Sequence, residues 1–266
     1  MNPIKKITSL QNPRIKNIIK LQKASERKKQ KLFVVEGVKE IKHVVQSGFQ
    51  LHSLFYCPEI APEGLPESLA PWFPDIFEVS PEVFSRIAYR KSSGGIIALG
   101  HARFLTFEDL PLSKTPLVVV LEHVEKPGNL GAILRTADAA KVDAVIICDP
   151  ATDLYNPNVI RASMGCVFST QVVSCSSEEA MRWLKTMNIR SYAAAIQTES
   201  WYYECNFNQP AALIMGTESE GLSKSWRDFS EEIIKIPMMG INDSLNVSIA
   251  AAILIYEAMR QRGFKK

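Results

Sequence analysis

The sequence predicts an α/β protein in two parts: a smaller α/β domain, then one built on a mostly parallel sheet. Two observations carry this. From residue 117 onward, short apolar runs alternate with amphipathic helical stretches, the pattern of a parallel sheet covered on both faces. A stretch bearing Pro111 and Pro116 separates that region from a looser alternation of strands and helices upstream. The expected domains are 1–106 and 117–266, joined by a linker at 107–116. With 266 residues, 46% hydrophobic and 22% charged, the chain is long enough for two such domains.

In the first part, Ile15, Ile18, Ile19 and Leu21 have the spacing of an amphipathic helix. Leu32 to Val35 reads as a buried strand, Val38 to Gln46 as a helix ended by Gly48, and Leu51 to Tyr56 as the next strand. Residues 58–74 are proline-rich and predict a loop-heavy connection. Ile76 to Val79 is a strand, and Ser80-Pro81 opens a helix with a serine cap and proline at its first position. A basic loop, Arg90-Lys91-Ser92-Ser93-Gly94-Gly95, precedes the strand Ile96 to Leu99.

The second part is more regular. Leu117 to Leu121 is a continuous apolar run, as expected of a strand buried on both faces. Leu130 to Ala140 predicts a helix with Asn129 as its cap and Arg135 off its apolar stripe. Val142 to Cys148 is a strand, Asn156-Pro157 opens a helix reaching Met164, and Gln171 to Ser174 is a strand. Ser176 and Glu179 form a capping box for a helix through Met187. Ser191 to Ile196, Ala211 to Met215 and Ile233 to Ile236 complete the strands. Ser244 is expected to cap a final helix whose apolar face is Ile249, Ala252, Ile253 and Tyr256.

Composition excludes several classes. No apolar run approaches the ~20 residues of a membrane helix, and Met1 to Lys6 lacks the apolar core of a secretory signal. Five scattered cysteines without C-x-x-C, and four histidines without H-E-x-x-H, argue against a disulfide framework or a structural metal. A reduced, cytoplasmic, metal-free protein is expected. Charge is uneven: residues 1–31 carry ten Lys/Arg against Glu26 alone, a local +9 on a chain of net +3. A basic arm on an acidic body points to a polyanion, most simply nucleic acid. Arg14, Lys28, Lys29 and Lys31 of the arm, with Arg90 and Lys91 of the loop, are the expected contacts. A solvated helix face would also account for such a charge run.

In an open α/β sheet, ligands bind at the carboxyl ends of the strands. Three strand-end loops stand out: Glu122 to Ala137, Met215 to Leu222, and Ile236 to Ser248. The first lacks the G-x-G-x-x-G spacing, so a nicotinamide-dependent dehydrogenase is disfavoured. Singly, each loop could be structural, with a surface arginine, acids capping a helix, or an ordinary strand–turn–helix unit. The three in this order on one sheet suggest a single site.

Together they resemble the successive motifs of the SpoU/TrmH branch of the SPOUT RNA methyltransferases. The matching residues are Asn129-x-Gly131-Ala132-Ile133-x-Arg135-Thr136-Ala137, Met215-Gly216-x-Glu218-x-x-Gly221-Leu222, and Ile236-Pro237-Met238 with Ser244-Leu245-Asn246-Val247-Ser248. Phe33-Val34-Val35-Glu36-Gly37, with the basic arm before it, is similar to the substrate-binding domain that often precedes this catalytic domain.

The resemblance implies a Rossmann-like sheet whose C-terminal segment is tucked into a trefoil knot, with S-adenosylmethionine bent inside it. Met215, Gly216, Gly221, Ile236, Met238, Ser244 and Leu245 are the implied cofactor residues. It implies a homodimer through the C-terminal helix, with the site shared between subunits, and methyl transfer to a ribose 2′-hydroxyl of RNA. Ribosomal RNA, 23S in particular, is preferred over tRNA; a non-catalytic RNA-binding or ribosome-assembly protein on the same scaffold is the alternative. Arg135, Asn129, Glu218 and Asn246 are the implied catalytic residues. A guanidinium stays protonated near neutral pH, so Arg135 as base needs a neighbouring anion. It could instead stabilise the developing alkoxide, with Glu218 as base. Lys126 stands where the family commonly has an acid or amide. Trp201-Tyr202-Tyr203 could stack on a base or pack as an aromatic cluster.

Overall fold

The computed structural model describes residues 4–89, 94–217 and 220–264. They form two compact units: residues 1–103 with 153–169, and residues 104–152 with 170–266.

The first unit holds strands β1 (Lys5–Ile7), β2 (Leu32–Glu36), β3 (Leu51–Tyr56), β4 (Asp75–Val79) and β5 (Ile96–His101) in one mixed sheet, ordered β1-β4-β3-β5-β2. Around it lie helices α1 (Pro13–Lys20), α2 (Ala24–Gln30), α3 (Val38–Gln46), α4 (Leu65–Leu69) and α5 (Pro81–Ile87). Ser80 caps α5 by accepting from the Val83 N–H. The core draws Ile15 and Ile18 from α1, Phe55 and Phe77 from the sheet, and Phe84 from α5. Phe33 on β2 faces Gly100 on β5, and a Cβ at Gly100 would stand 2.5 Å from the Phe33 ring. Only glycine leaves room for that ring, which stacks on Tyr155 with centroids 5.0 Å apart.

The basic arm departs from a single charged helix. It contains β1, α1 and α2, and part of its charge is internally matched. Lys5 pairs with Asp75 at 2.9 Å and Lys6 with Glu78 at 2.8 Å. Arg27 is buried, binds Asp153 at 2.6 Å and donates to the carbonyls of Leu21 and Gln22. Burial of a guanidinium is sustained by that set of partners.

The second unit holds β6 (Leu117–Glu122), β7 (Ala144–Cys148), β8 (Val172–Cys175), β9 (Arg190–Ala194), β10 (Ala211–Met215) and β11 (Glu232–Ile234). All pair in parallel, in the order β11-β9-β10-β6-β7-β8. Chain order reverses between β6 and β10, so their carboxyl ends frame the crevice in which such sheets bind ligands. Its helices are α6 (Pro127–Ala139), α9 (Ser177–Thr186), α10 (Lys224–Phe229) and α11 (Val247–Gln261). Helices α7 (Pro157–Ala162) and α8 (Cys166–Ser169) belong to the first unit. The Ser176/Glu179 capping box forms, with reciprocal bonds of 3.2 and 2.8 Å. β6 is buried through Leu121, the mark of a central strand.

Three local expectations are corrected. Helix α6 begins at Pro127, with Lys126 at the cap position, so Asn129 lies within the first turn instead of capping it. Helix α11 is capped by Asn246, whose side chain accepts from the Ser248 N–H at 3.0 Å; Ser244 lies outside the helix, bonded to Asp243. Its buried face is Val247, Ala251, Leu254, Ile255 and Ala258, while Ile249 and Tyr256 are exposed by 52% and 44%. The helix is apolar on two faces, and only one is used within the chain.

Candidate active site

The site is built from four strand ends of the second unit. After β10 the chain enters Gly216-Thr217 and returns at Gly221, with paired backbone bonds of 3.1 Å between Thr217 and Gly221. A Cβ on Gly216 would lie 2.1 Å from the Gly221 carbonyl oxygen. Gly221 itself adopts φ +70°, a conformation that favours glycine. These two glycines let two backbone segments close against each other beside the sheet.

A cavity of about 440 Å³ opens there, within the ~300–1,000 Å³ usual for small-molecule sites. Met215, Gly216, Gly221, Ile236, Met238, Ser244 and Leu245, the seven residues expected around a cofactor, all line it. So do Glu220 and Asp243 from inside the motif loops, and Ala194 to Gln197 at the end of β9 and Arg227, which lie outside them. The β9 end had a usable signal, since it is another strand terminus on the same edge of the sheet. The lining combines an apolar wall, suited to a planar base, with Arg227, Glu220 and Asp243 as charged groups. S-adenosylmethionine has a purine, a ribose and a zwitterionic tail, and the lining fits each kind of group.

A second, smaller cavity shares Gly216, Thr217 and Val247 with the first and adds Val124, Glu125, Lys126 and Asn129. Here the first and last motifs meet: the Asn246 Nδ2 donates to Asn129 Oδ1 at 3.2 Å. The same Asn246 side chain caps α11, its Oδ1 accepting from the Ser248 N–H and, at 2.6 Å, from the Ser248 hydroxyl. One amide therefore holds a helix terminus and fixes Asn129.

Arg135 is placed differently. It is exposed on α6 and lines neither cavity. Six residues along a helix put it about 120° around the axis from Asn129 and ~9 Å along it. Within one chain the structure does not bring Arg135 to the asparagine pair. Glu218 lies outside the described residues, as do Arg90 and Lys91. In the first unit, Arg14, Lys28, Lys29 and Lys31 are exposed, with the Arg14 guanidinium 4.8 Å from the centroid of the Phe77 ring. Trp201 and Tyr203 stack with centroids 6.3 Å apart, and Lys235 sits 4.6 Å over Trp201, a partly exposed aromatic cluster at the β11 edge.

Among the described residues no group of His, Cys, Asp and Glu is arranged to hold a metal ion, and no helix is long and apolar enough to cross a membrane. The described cysteines are free thiols. Cys205 is buried and donates to Glu232 at 3.2 Å; burial and that carboxylate push its thiol up to about 12. Cys57, also buried, is pushed up to about 11 by burial and by Glu59.

Comparison with known proteins gives consistent matches. The model of the SpoU rRNA methylase family matches residues 116–256, and that of the MRM3-like substrate-binding domain matches 12–98. A 23S rRNA (guanosine(2553)-2′-O)-methyltransferase of Bacillus subtilis is 29% identical over 253 residues, 95% of this chain and 98% of that protein. A solved RNA 2′-O ribose methyltransferase superposes with a TM-score of 0.85 at 38% identity, covering 97% of this chain and 99% of the other. An AdoMet-bound rRNA methyltransferase from Sinorhizobium meliloti superposes with a TM-score of 0.89 at 29% identity, covering 97% and 98%.

Proposed function

The chain belongs to the SpoU rRNA methylase family, and we propose that it transfers a methyl group from S-adenosylmethionine to a ribose 2′-hydroxyl of ribosomal RNA. The observation that carries this is the convergence of its motifs. The seven expected cofactor residues line one cavity, and it adjoins a second lined by Asn129, which Asn246 holds. The 23S rRNA methyltransferase of Bacillus subtilis, similar over nearly the whole chain, supports 23S rRNA over tRNA.

The bound cofactor supplies an electrophilic sulfonium methyl. The protein's task is to present the hydroxyl in line with it and to manage the hydroxyl proton. Gly216 and Gly221 shape the cofactor wall, and Ile236, Met238 and Leu245 supply apolar contact. Asn129, held by Asn246, orients the ribose. Lys126 borders the same small cavity and offers a cation to an adjacent phosphate. Glu218 follows Thr217 in sequence and is the candidate base, with Arg135 stabilising the developing alkoxide.

Arg135 reaches this site from a second copy of the chain. Its position on α6 turns it away from its own Asn129, and the outer face of α11 offers Ile249 and Tyr256 to a partner. A homodimer through α11 accounts for both. The knot belongs to the same proposal: the β11–α11 segment is tucked through the chain, as the family resemblance implies. Along the sequence, residues 1–106 serve RNA selection and 117–266 methyl transfer, with a linker at 107–116, while the segment 153–169 packs with the first unit; the location is cytoplasmic.

The test is incubation with methyl-labelled S-adenosylmethionine and unmodified total RNA, followed by size fractionation and digestion to nucleosides. Label in a 2′-O-methyl nucleoside of the 23S band is the expected result. Label in tRNA would move the substrate, and label on a base would overturn the ribose assignment. Cofactor binding without label on any RNA, including immature ribosomal particles, would favour the non-catalytic alternative.

A further inference from the structure

Among the described residues lining the cofactor cavity, Arg227 is the only cation. It stands on α10, outside the three sequence motifs, and is half-buried. The helix is anchored on either side of it. Ser223 caps it by accepting from the Trp226 N–H, and Trp226, fully buried, donates its indole N–H to Ser177 at 3.0 Å. One guanidinium nitrogen of Arg227 donates to the Leu222 carbonyl at 2.5 Å. Leu222 directly follows the Gly216–Gly221 closure and itself lines the cavity. The guanidinium is therefore fixed by one edge to the loop that walls the cofactor, and its planar fork carries further N–H donors.

Each charge of the ligand has a counterpart of opposite sign among the described lining residues. S-adenosylmethionine carries two cations, its sulfonium and its α-ammonium, and one anion, its carboxylate. Among the described residues, the lining offers two carboxylates, Glu220 and Asp243, and one cation, Arg227. A carboxylate moved from water into a partly apolar cavity needs a charged, hydrogen-bonding partner. Building on the cofactor reading above, we infer that Arg227 binds the carboxylate of the methionyl tail. It thereby distinguishes the intact cofactor from adenosyl compounds lacking that group.

The test is direct binding by calorimetry to the full-length protein. Three probes are used: S-adenosylmethionine, its decarboxylated form, which keeps the sulfonium and the ammonium, and 5′-methylthioadenosine, which lacks the whole amino-acid tail. Native protein is expected to bind S-adenosylmethionine about 10- to 100-fold more tightly than the decarboxylated form, the range for a charge-assisted hydrogen-bonded contact. Arg227→Gln keeps a donor for the Leu222 carbonyl but loses the charge. It should remove that preference while leaving 5′-methylthioadenosine binding within about twofold of native. Arg227→Lys should retain part of the preference.

Equal weakening of all three ligands in Arg227→Gln would make the residue a packing element and overturn the assignment. So would an unchanged preference. Equal binding of the intact and decarboxylated forms by native protein overturns it without any variant. Native protein binding none of the three would instead defeat the cofactor reading on which the inference rests.

Discussion

Asn246 donates its side-chain amide to Asn129 across 3.2 Å, joining residues 117 positions apart at the carboxyl edge of one sheet. The same Asn246 caps α11 through its other side-chain atom. The two roles use different atoms, the nitrogen for Asn129 and the oxygen for the helix, so they can be separated. Asn246→Asp retains an acceptor at the N-terminus of α11, where a negative charge is favourable, but loses the donor to Asn129. Stability should stay within about 0.5 kcal/mol of native while turnover falls about 100-fold, the scale of losing one oriented donor. Asn246→Ala should lose both, with about 1 kcal/mol of stability. Thermal melts beside a methyl-transfer assay separate these outcomes, and native turnover in Asn246→Asp would make the amide contact incidental.

Gly216 is the point where the cofactor wall has no slack. An added Cβ would meet the Gly221 carbonyl at 2.1 Å and the Leu222 nitrogen at 2.5 Å, both backbone atoms that cannot rotate away. Gly216→Ala should therefore spread the loop, cost about 1–3 kcal/mol in stability, and weaken S-adenosylmethionine binding at least tenfold. Gly128 meets nothing within 4 Å of a built Cβ, so Gly128→Ala is the matched control and should bind cofactor normally. Equal affinities in the two variants would separate the cofactor from this loop.

How far this arrangement was legible depends on where the deciding contact lies. The strands of the second unit were readable because Leu117 to Leu121, Ala144 to Cys148 and Ala211 to Met215 are continuous apolar runs, and burial of both faces leaves no other pattern. The start of α11 was less determinate. Ser244 and Asn246 are both good caps two residues apart, and the one that caps also bonds Asn129, which is distant in sequence. Its inner face was also ambiguous, because Val247/Ala251/Leu254 and Ile249/Ile253/Tyr256 are both apolar stripes at helical spacing. Pro127 at the first position of α6 did signal the true start of that helix. β1 was hidden in the arm because Lys5 and Lys6 look like solvated charges until Asp75 and Glu78 are placed beside them. Arg227 belongs to no local pattern and gains its meaning only when Leu222 and the cavity are assembled.

Adjacent basic residues of the arm should behave in opposite ways. Arg27 is 4% exposed and held by Asp153, so Arg27→Ala takes the cation from Asp153 and the donor from the Leu21 and Gln22 carbonyls. That change should cost about 3–5 kcal/mol and lower the melting temperature. Lys28, Lys29 and Lys31 are exposed, so replacing all three by Gln should leave the melting temperature unchanged. The triple variant should bind RNA more weakly and lower the slope of log affinity against log salt by about 2–3. An unchanged slope would place the RNA on another surface.

Thiol chemistry offers a check on the interior. Cys57 and Cys205 are buried, and their thiols are pushed up to about 11 and about 12, so the reactive thiolate is scarce at pH 8. Neither should be alkylated by iodoacetamide at pH 8 in the folded protein, and both should react after denaturation. Peptide mapping reads the result directly. Rapid labelling of Cys205 in the native state would mean that the Glu232 contact and the packing around it are open in solution.

Arg135 and Asn246 provide the sharpest test of a site completed by a second copy. Arg135 is exposed and turned about 120° from its own Asn129 around α6, while Asn246 is fixed beside Asn129 in the same chain. If the arginine works in trans, each site of a homodimer takes Arg135 from one chain and Asn246 from the other. Arg135→Ala should then be inactive yet bind S-adenosylmethionine normally, and Asn246→Asp should be nearly inactive. Mixing the two under conditions that exchange subunits produces heterodimers in which one site carries both substitutions and the other carries neither. With random exchange, half the dimers are mixed and each has one intact site, so activity should return to about a quarter of native. If Arg135 serves its own chain, every site in the mixture keeps one lesion and no activity returns. The result therefore decides the geometry even if both single variants are equally dead, provided that subunit exchange is verified by mass or by tag.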